Sequence, residues 1–111
     1  MPKLMIVFSL IVPFTEPIDD DALRRLTADY LVRAKRGTEP LDPVARFHLR
    51  NGARLEQINV GGDPSEKGRR ESYGVLVNYL YEPASLADNH DAYVNEGRVA
   101  HSPQIATLLE E

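Results

Sequence analysis

Among the 111 residues, a few side chains have the chemistry to act on a ligand. His48, in Arg46-Phe47-His48-Leu49, carries an imidazole that can give or take a proton near neutral pH. Downstream lies Gly61-Gly62-Asp63-Pro64-Ser65-Glu66-Lys67-Gly68-Arg69-Arg70, a glycine turn running into a basic segment. Asp63, Pro64 and Glu66 have the form of a capping box with proline at the first helical position. A strand, a glycine loop and a helix N-terminus in that order leave free backbone N–H groups that can hold a phosphate. Ser9 places a hydroxyl inside an apolar run, where it reads first as a hydrogen-bonded core residue. His48 on its own fits either a packed histidine or an acid/base group, and His90 and His101 have no metal-ligand spacing and read as surface residues.

The elements that must position these groups follow from pattern. The apolar run over residues 4–12 predicts a buried strand ended by Pro13 and Pro17. It is too short for a bilayer span, which takes roughly 20 apolar residues, and the following Phe14-Thr15-Glu16-Pro17 is no leader cleavage site. Asp19, Asp20 and Asp21 start a helix with Leu23, Leu26, Tyr30 and Leu31 as its apolar stripe, Arg33, Lys35 and Arg36 in its last turn, and Gly37 as its stop. Asp42-Pro43 starts a short helix that carries His48 and ends at the Asn51-Gly52 turn. A strand is expected over 54–60, with Leu55 on one face and Ile58 and Val60 on or near the other. From Arg70 to Tyr81 the pattern fits one long helix or a helix followed by a strand; Tyr73, Val77 and Tyr81 recur every four residues, which favours the single helix over 70–81. Ser85 and Ser102-Pro103 begin two more helices, the first closed by Gly97, with Val99-Ala100 an extended link between them.

Composition bounds the class. The length suits one domain, residues 1–111, with a single core and room for self-association. Absence of cysteine removes disulfides, thiolate catalysis and zinc-cysteine sites, and is compatible with a cytoplasmic protein. A net charge of −4 argues against general nucleic-acid binding. Residues 46–70 alone are basic, with six Lys/Arg against three Asp/Glu, whereas 71–111 carry one against seven. That segment is either a solvated face or a site for a polyanion.

Three segments together resemble the C-terminal part of malonyl-CoA decarboxylase: residues 42–59, which include Arg46-Phe47-His48-Leu49 and Asn51-Gly52, residues 64–81, which end in Asn78-Tyr79-Leu80-Tyr81, and Asp88-Asn89-His90-Asp91-Ala92-Tyr93-Val94-Asn95-Glu96-Gly97. The likeness spans about residues 22–100 and runs without gaps over 42–81. It implies an α/β (α+β) fold, a partial GCN5-related acetyltransferase-like mixed sheet flanked by helices. It also implies conversion of malonyl-CoA, or a related malonyl thioester, to acetyl-CoA and CO2 with no metal and no organic cofactor. The resemblance assigns catalytic roles to His48, Ser9 and Tyr81, with Ser9 matched through Phe8-Ser9-Leu10-Ile11-Val12-Pro13-Phe14. Coenzyme A becomes the expected polyanion, held by Ser65, Lys67, Gly68, Arg69 and Arg70. A homo-oligomer acting in fatty acid metabolism, free of membrane and nucleic acid, completes the expectation. The alternatives are a CoA-binding or oligomerisation module without catalysis, or another acyl-CoA or carrier-protein decarboxylase or acyltransferase. Relative to the family pattern, the N-terminal helical domain and the glutamate-bearing early strands are not represented in the chain.

Overall fold

A computed structural model describes the backbone of residues 3–7 together with residues 19–60 and 75–110. In chain order these form β1 (Lys3–Val7), α1 (Asp20–Arg33), β2 (Lys35–Arg36), β3 (Glu39–Pro40), α2 (Pro43–Arg50), β4 (Arg54–Asn59), β5 (Leu76–Leu80), α3 (Leu86–Glu96) and α4 (Pro103–Leu108). The architecture is α+β. Helices pack on a three-stranded antiparallel sheet of order β1-β5-β4, and β2 and β3 form a separate hairpin.

β5 is the central strand, pairing with β1 from Lys3↔Leu80 to Val7↔Leu76 and with β4 from Arg54↔Leu80 to Asn59↔Leu76. Over the described residues 75–81 this strand stands in place of the favoured single helix, in keeping with the alternative of a helix followed by a strand. Residues 77 and 81 are an even number apart, so their spacing suits one face of a strand as well as one face of a helix. Val75, Val77 and Tyr79 alternate onto the core face and are almost fully buried, and their β-branched and aromatic side chains favour the pleated solution. Tyr73 lies outside the described residues.

β4 departs from simple alternation. Leu55 faces Tyr79 and Gln57 faces Asn78, leaving Glu56 without a partner in the ladder. This bulge resets the phase, so Leu55 and Ile58 both enter the core rather than opposite faces. The extra residue is tied down from the other side. Leu55 N–H donates to the Ala100 carbonyl at 2.9 Å, Ser102 N–H donates to the Leu55 carbonyl at 2.8 Å, and the Ser102 hydroxyl donates to the Glu56 carbonyl at 2.7 Å. The extended link at Val99-Ala100 thus ends in a parallel bridge between Leu55 and His101.

The caps agree with the expectations at three helix starts. Asp19 accepts from Ala22 N–H at 2.8 Å, Asp42 from Ala45 N–H at 2.8 Å, and Ser102 from Ile105 N–H at 3.3 Å; each such cap stabilises by about 1 kcal/mol. Ser85 flanks α3 but its hydroxyl donates to Glu82 instead. α1 buries Leu23, Thr27, Ala28 and Leu31, while Leu26 points to solvent. It ends at Arg33, four residues before Gly37, because Lys35 and Arg36 pair with Pro40 and Glu39 and the Gly37-Thr38 turn closes that hairpin.

Gly52 separates α2 from β4 with φ of 91°, and a Cβ there would collide with the Leu86 carbonyl at the start of α3. Gly37 also has positive φ, but a Cβ would meet nothing within 4 Å. Gly37→Ala should therefore cost about 1–2 kcal/mol from the left-handed backbone alone, and Gly52→Ala distinctly more. Chemical denaturation of both variants checks this order.

Candidate functional site

α2 turns Ala45, His48 and Leu49 inward, and His48 is only 3% exposed. Its neighbour Phe47 is on the outer side, 62% exposed, with its ring edge-on to His48 at 5.1 Å between centroids. Below α2, the two-residue period of β5 sends Tyr79 and Tyr81 to the same face. The Tyr81 hydroxyl forms a short hydrogen bond with His48 Nδ1. The Tyr79 ring lies against the imidazole face, 4.4 Å between centroids and 25° between planes, while the Tyr81 ring stands edge-on at 5.7 Å and 75°. The histidine and the terminal tyrosine of the Asn-Tyr-Leu-Tyr segment, 33 residues apart, thus meet directly.

Both members of the pair are kept neutral. Burial lowers the His48 pKa from its ordinary 6.5 and raises that of Tyr81 from 10.0. Tyr79 is pushed upward first by burial and next by the negative charge of Asp42. Asp42, itself buried, caps α2 and also accepts from the Tyr30 hydroxyl at 3.4 Å. Two tautomers satisfy the His48–Tyr81 bond. Either Tyr81 O–H donates to Nδ1 and leaves an N–H at Nε2, or Nδ1–H donates to the tyrosine oxygen and leaves Nε2 as an acceptor. In each, the second ring nitrogen is left without a hydrogen bond to Tyr81 and keeps its own donor or acceptor capacity.

A second polar cluster braces the far side of α2. Glu39 accepts from Arg50 and, at 2.9 Å, from the Tyr93 hydroxyl. The Arg50 hydrogen bond holds the Glu39 carboxyl below its usual range, while burial and then the bond to Glu39 push Tyr93 up to about 12. This explains the Asp91-to-Gly97 segment structurally, since Tyr93 ties α3 to β3 and α2. His90 and His101 are exposed, with Nδ1–H donating to the Arg50 and Val99 carbonyls at 2.6 Å and 2.8 Å. Among the described residues no group of three or more His, Cys, Asp or Glu could hold a metal ion, and no helix is long and apolar enough to cross a membrane.

Residues 15–111 match the family described as malonyl-CoA decarboxylase C-terminal domain. The chain belongs to the malonyl-CoA decarboxylase family. It is 40% identical over 89 residues to the mitochondrial malonyl-CoA decarboxylase of Anser anser anser and 39% identical to that of Rattus norvegicus, in each case 80% of this chain and 18% of the relative. Among solved structures, malonyl-CoA decarboxylase from Rhodopseudomonas palustris superposes with a TM-score of 0.78 at 43% identity, over 81% of this chain and 21% of that one. The enzyme from Cupriavidus metallidurans gives 0.77 at 45% identity, over 86% and 25%. The chain therefore spans about a fifth to a quarter of the length of these relatives.

Of the site residues expected from sequence, His48 and Tyr81 are joined. Ser9, Ser65, Lys67, Gly68, Arg69 and Arg70 lie outside the described residues, and Ser9 also precedes the matched family segment. Two contributors escaped sequence reasoning. Tyr79 sits two residues before Tyr81, a signal visible only once the segment is read as a strand, and Asp42 was read as a cap without its burial behind the histidine.

The neutral burial of His48 carries a stability consequence. Its folded pKa lies below the unfolded value of about 6.5, so between the two the unfolded chain binds a proton that the folded chain does not. The contribution is fully present above about pH 6.5 and is lost as pH falls through the lower folded value. The thermal midpoint should drop on acidification below about pH 6.5, and His48→Gln should flatten that part of the curve; equal slopes in both proteins would refute the assignment.

Proposed function

We propose that this chain provides the histidine side of a malonyl-CoA decarboxylase site, converting malonyl-CoA or a related malonyl thioester to acetyl-CoA and CO2. The observation that supports it best is the buried His48–Tyr81 hydrogen bond in a chain of this family. As the carboxylate leaves, the electron pair of the broken C–C bond passes into the thioester as an enolate, whose oxygen needs hydrogen-bond donors. Neutral His48 gives its Nε2 proton to the α-carbon as it takes the Tyr81 proton at Nδ1, so no imidazolate is left, and water returns a proton to Tyr81; Tyr81 also orients the acyl group. Ser9 is assigned the hydroxyl that binds the substrate carboxylate or relays the proton. Backbone amides of residues 65–69 and the side chains of Lys67, Arg69 and Arg70 are assigned to the CoA phosphates, in a cytoplasmic homo-oligomer working without metal or organic cofactor.

The test is CO2 release from malonyl-CoA by the parent chain and by His48→Ala, with the oligomeric mass measured in the same preparation. Loss of a general acid should slow turnover by about 10²–10⁴-fold; equal rates would overturn the assignment. Reversing the charges of Lys67 and Arg70 should weaken CoA binding in a salt-dependent way, and unchanged titrations would remove the phosphate-site proposal.

One observation favours a second reading. His48 is only 3% exposed, which suits a packed histidine in a binding or assembly module without catalysis. CoA binding without CO2 release would support that module, whereas turnover of methylmalonyl-CoA or acyl transfer from acetyl-CoA in preference to malonyl-CoA decarboxylation would point to a related acyl-CoA enzyme.

A further inference from the structure

The histidine at this site has one hydrogen bond, to Tyr81, and meets Phe47 and Tyr81 edge-on, but only Tyr79 lies against the face of its ring. With the ring anchored covalently at Cγ, the bond from Nδ1 to Tyr81 limits rotation about Cβ–Cγ, but only as tightly as one bendable hydrogen bond allows. The Tyr79 ring, 25° from parallel and 4.4 Å away between centroids, adds a second restraint, because it opposes tilting of the imidazole toward that side. Tyr79 is itself almost completely buried and belongs to β5, which is paired on both sides. Its position is therefore set by the sheet and does not follow the histidine.

We propose that Tyr79 is a positioning residue for His48, its ring fixing the plane of the imidazole so that Nδ1 stays on the Tyr81 hydroxyl and Nε2 faces the reacting atoms. This rests on the decarboxylase reading for its catalytic consequence and on geometry for its structural one. Stacked rings at this separation attract beyond their buried area, and the interaction does not depend on the Tyr79 hydroxyl. Phenylalanine should consequently serve, while a smaller aliphatic side chain keeps the site apolar without presenting a flat face to the imidazole.

The experiment uses the full chain with labelled histidine. In NMR spectra the His48 ring protons should lie upfield of those of the exposed His90 and His101, and should show cross-peaks to the Tyr79 ring. Tyr79→Phe should keep both signatures and retain turnover within a few-fold. Tyr79→Leu should lose the upfield shift and lower kcat by on the order of 10²-fold, as a displaced reacting group does, with KM changing less. An unmoved His48 spectrum in Tyr79→Leu, full turnover despite a moved one, or Tyr79→Phe as impaired as Tyr79→Leu would each overturn the proposal. Should Tyr79→Leu fail to fold, the parent spectrum decides, since missing cross-peaks between the two rings overturn it as well. Failure of the decarboxylase reading is seen separately, as unchanged CO2 release from His48→Ala.

Discussion

The two-sided pairing of β5 is the constraint on which the described structure depends. With β1 on one edge and β4 on the other, the backbone polar groups of this buried strand are satisfied by the ladder, as burial demands. Its side chains are then fixed by pleat alone. Val75, Val77 and Tyr79 enter the core on one face, and Tyr81 continues that face just beyond the last pair. A shift of one residue would carry both tyrosines to the opposite side, leaving the inward histidine of α2 without a hydrogen-bond partner. Site and core thus share one register.

α2 meets that register with a short helix held at both ends. Asp42 caps it from within the core, and at the other end the Glu39–Arg50 pair links it to β3 while His90 holds the last carbonyl. An eight-residue helix is marginal in isolation. Its geometry comes from these ends and from the burial of Ala45, His48 and Leu49. The single imidazole among the aliphatic side chains is tolerated because Tyr81 satisfies Nδ1 and because its charged form is disfavoured by burial.

Helix starts were legible in the sequence because a cap is a local event. Asp19, Asp42-Pro43 and Ser102-Pro103 announce themselves within four residues of the bonds they make. The family likeness likewise pointed to His48 and Tyr81 as members of one site. What stayed hidden depends on partners distant in sequence. Residues 77 and 81 fit a helix or a strand equally until β1 and β4 are seen beside them. The bulge at Glu56 left no mark in the apolar pattern of β4, which simply read Leu55 and Ile58 as opposed. The β2–β3 hairpin is only two residues on each side, too short for periodicity to reveal.

The Ser102 hydroxyl gives that bulge a temporal dimension. It donates to the Glu56 carbonyl across 46 residues while accepting from Ile105 N–H, so the irregular point of β4 is secured by a group made long after the strand itself. Contacts of such high sequence separation form late, once loop closure has been overcome. A nascent chain that has emerged only as far as Tyr81 possesses every aromatic of the site but not the hydroxyl that secures the bulge opposite β5. Only with residue 102 does the chain carry the group that holds the bulge placing Leu55 and Ile58 on the same side.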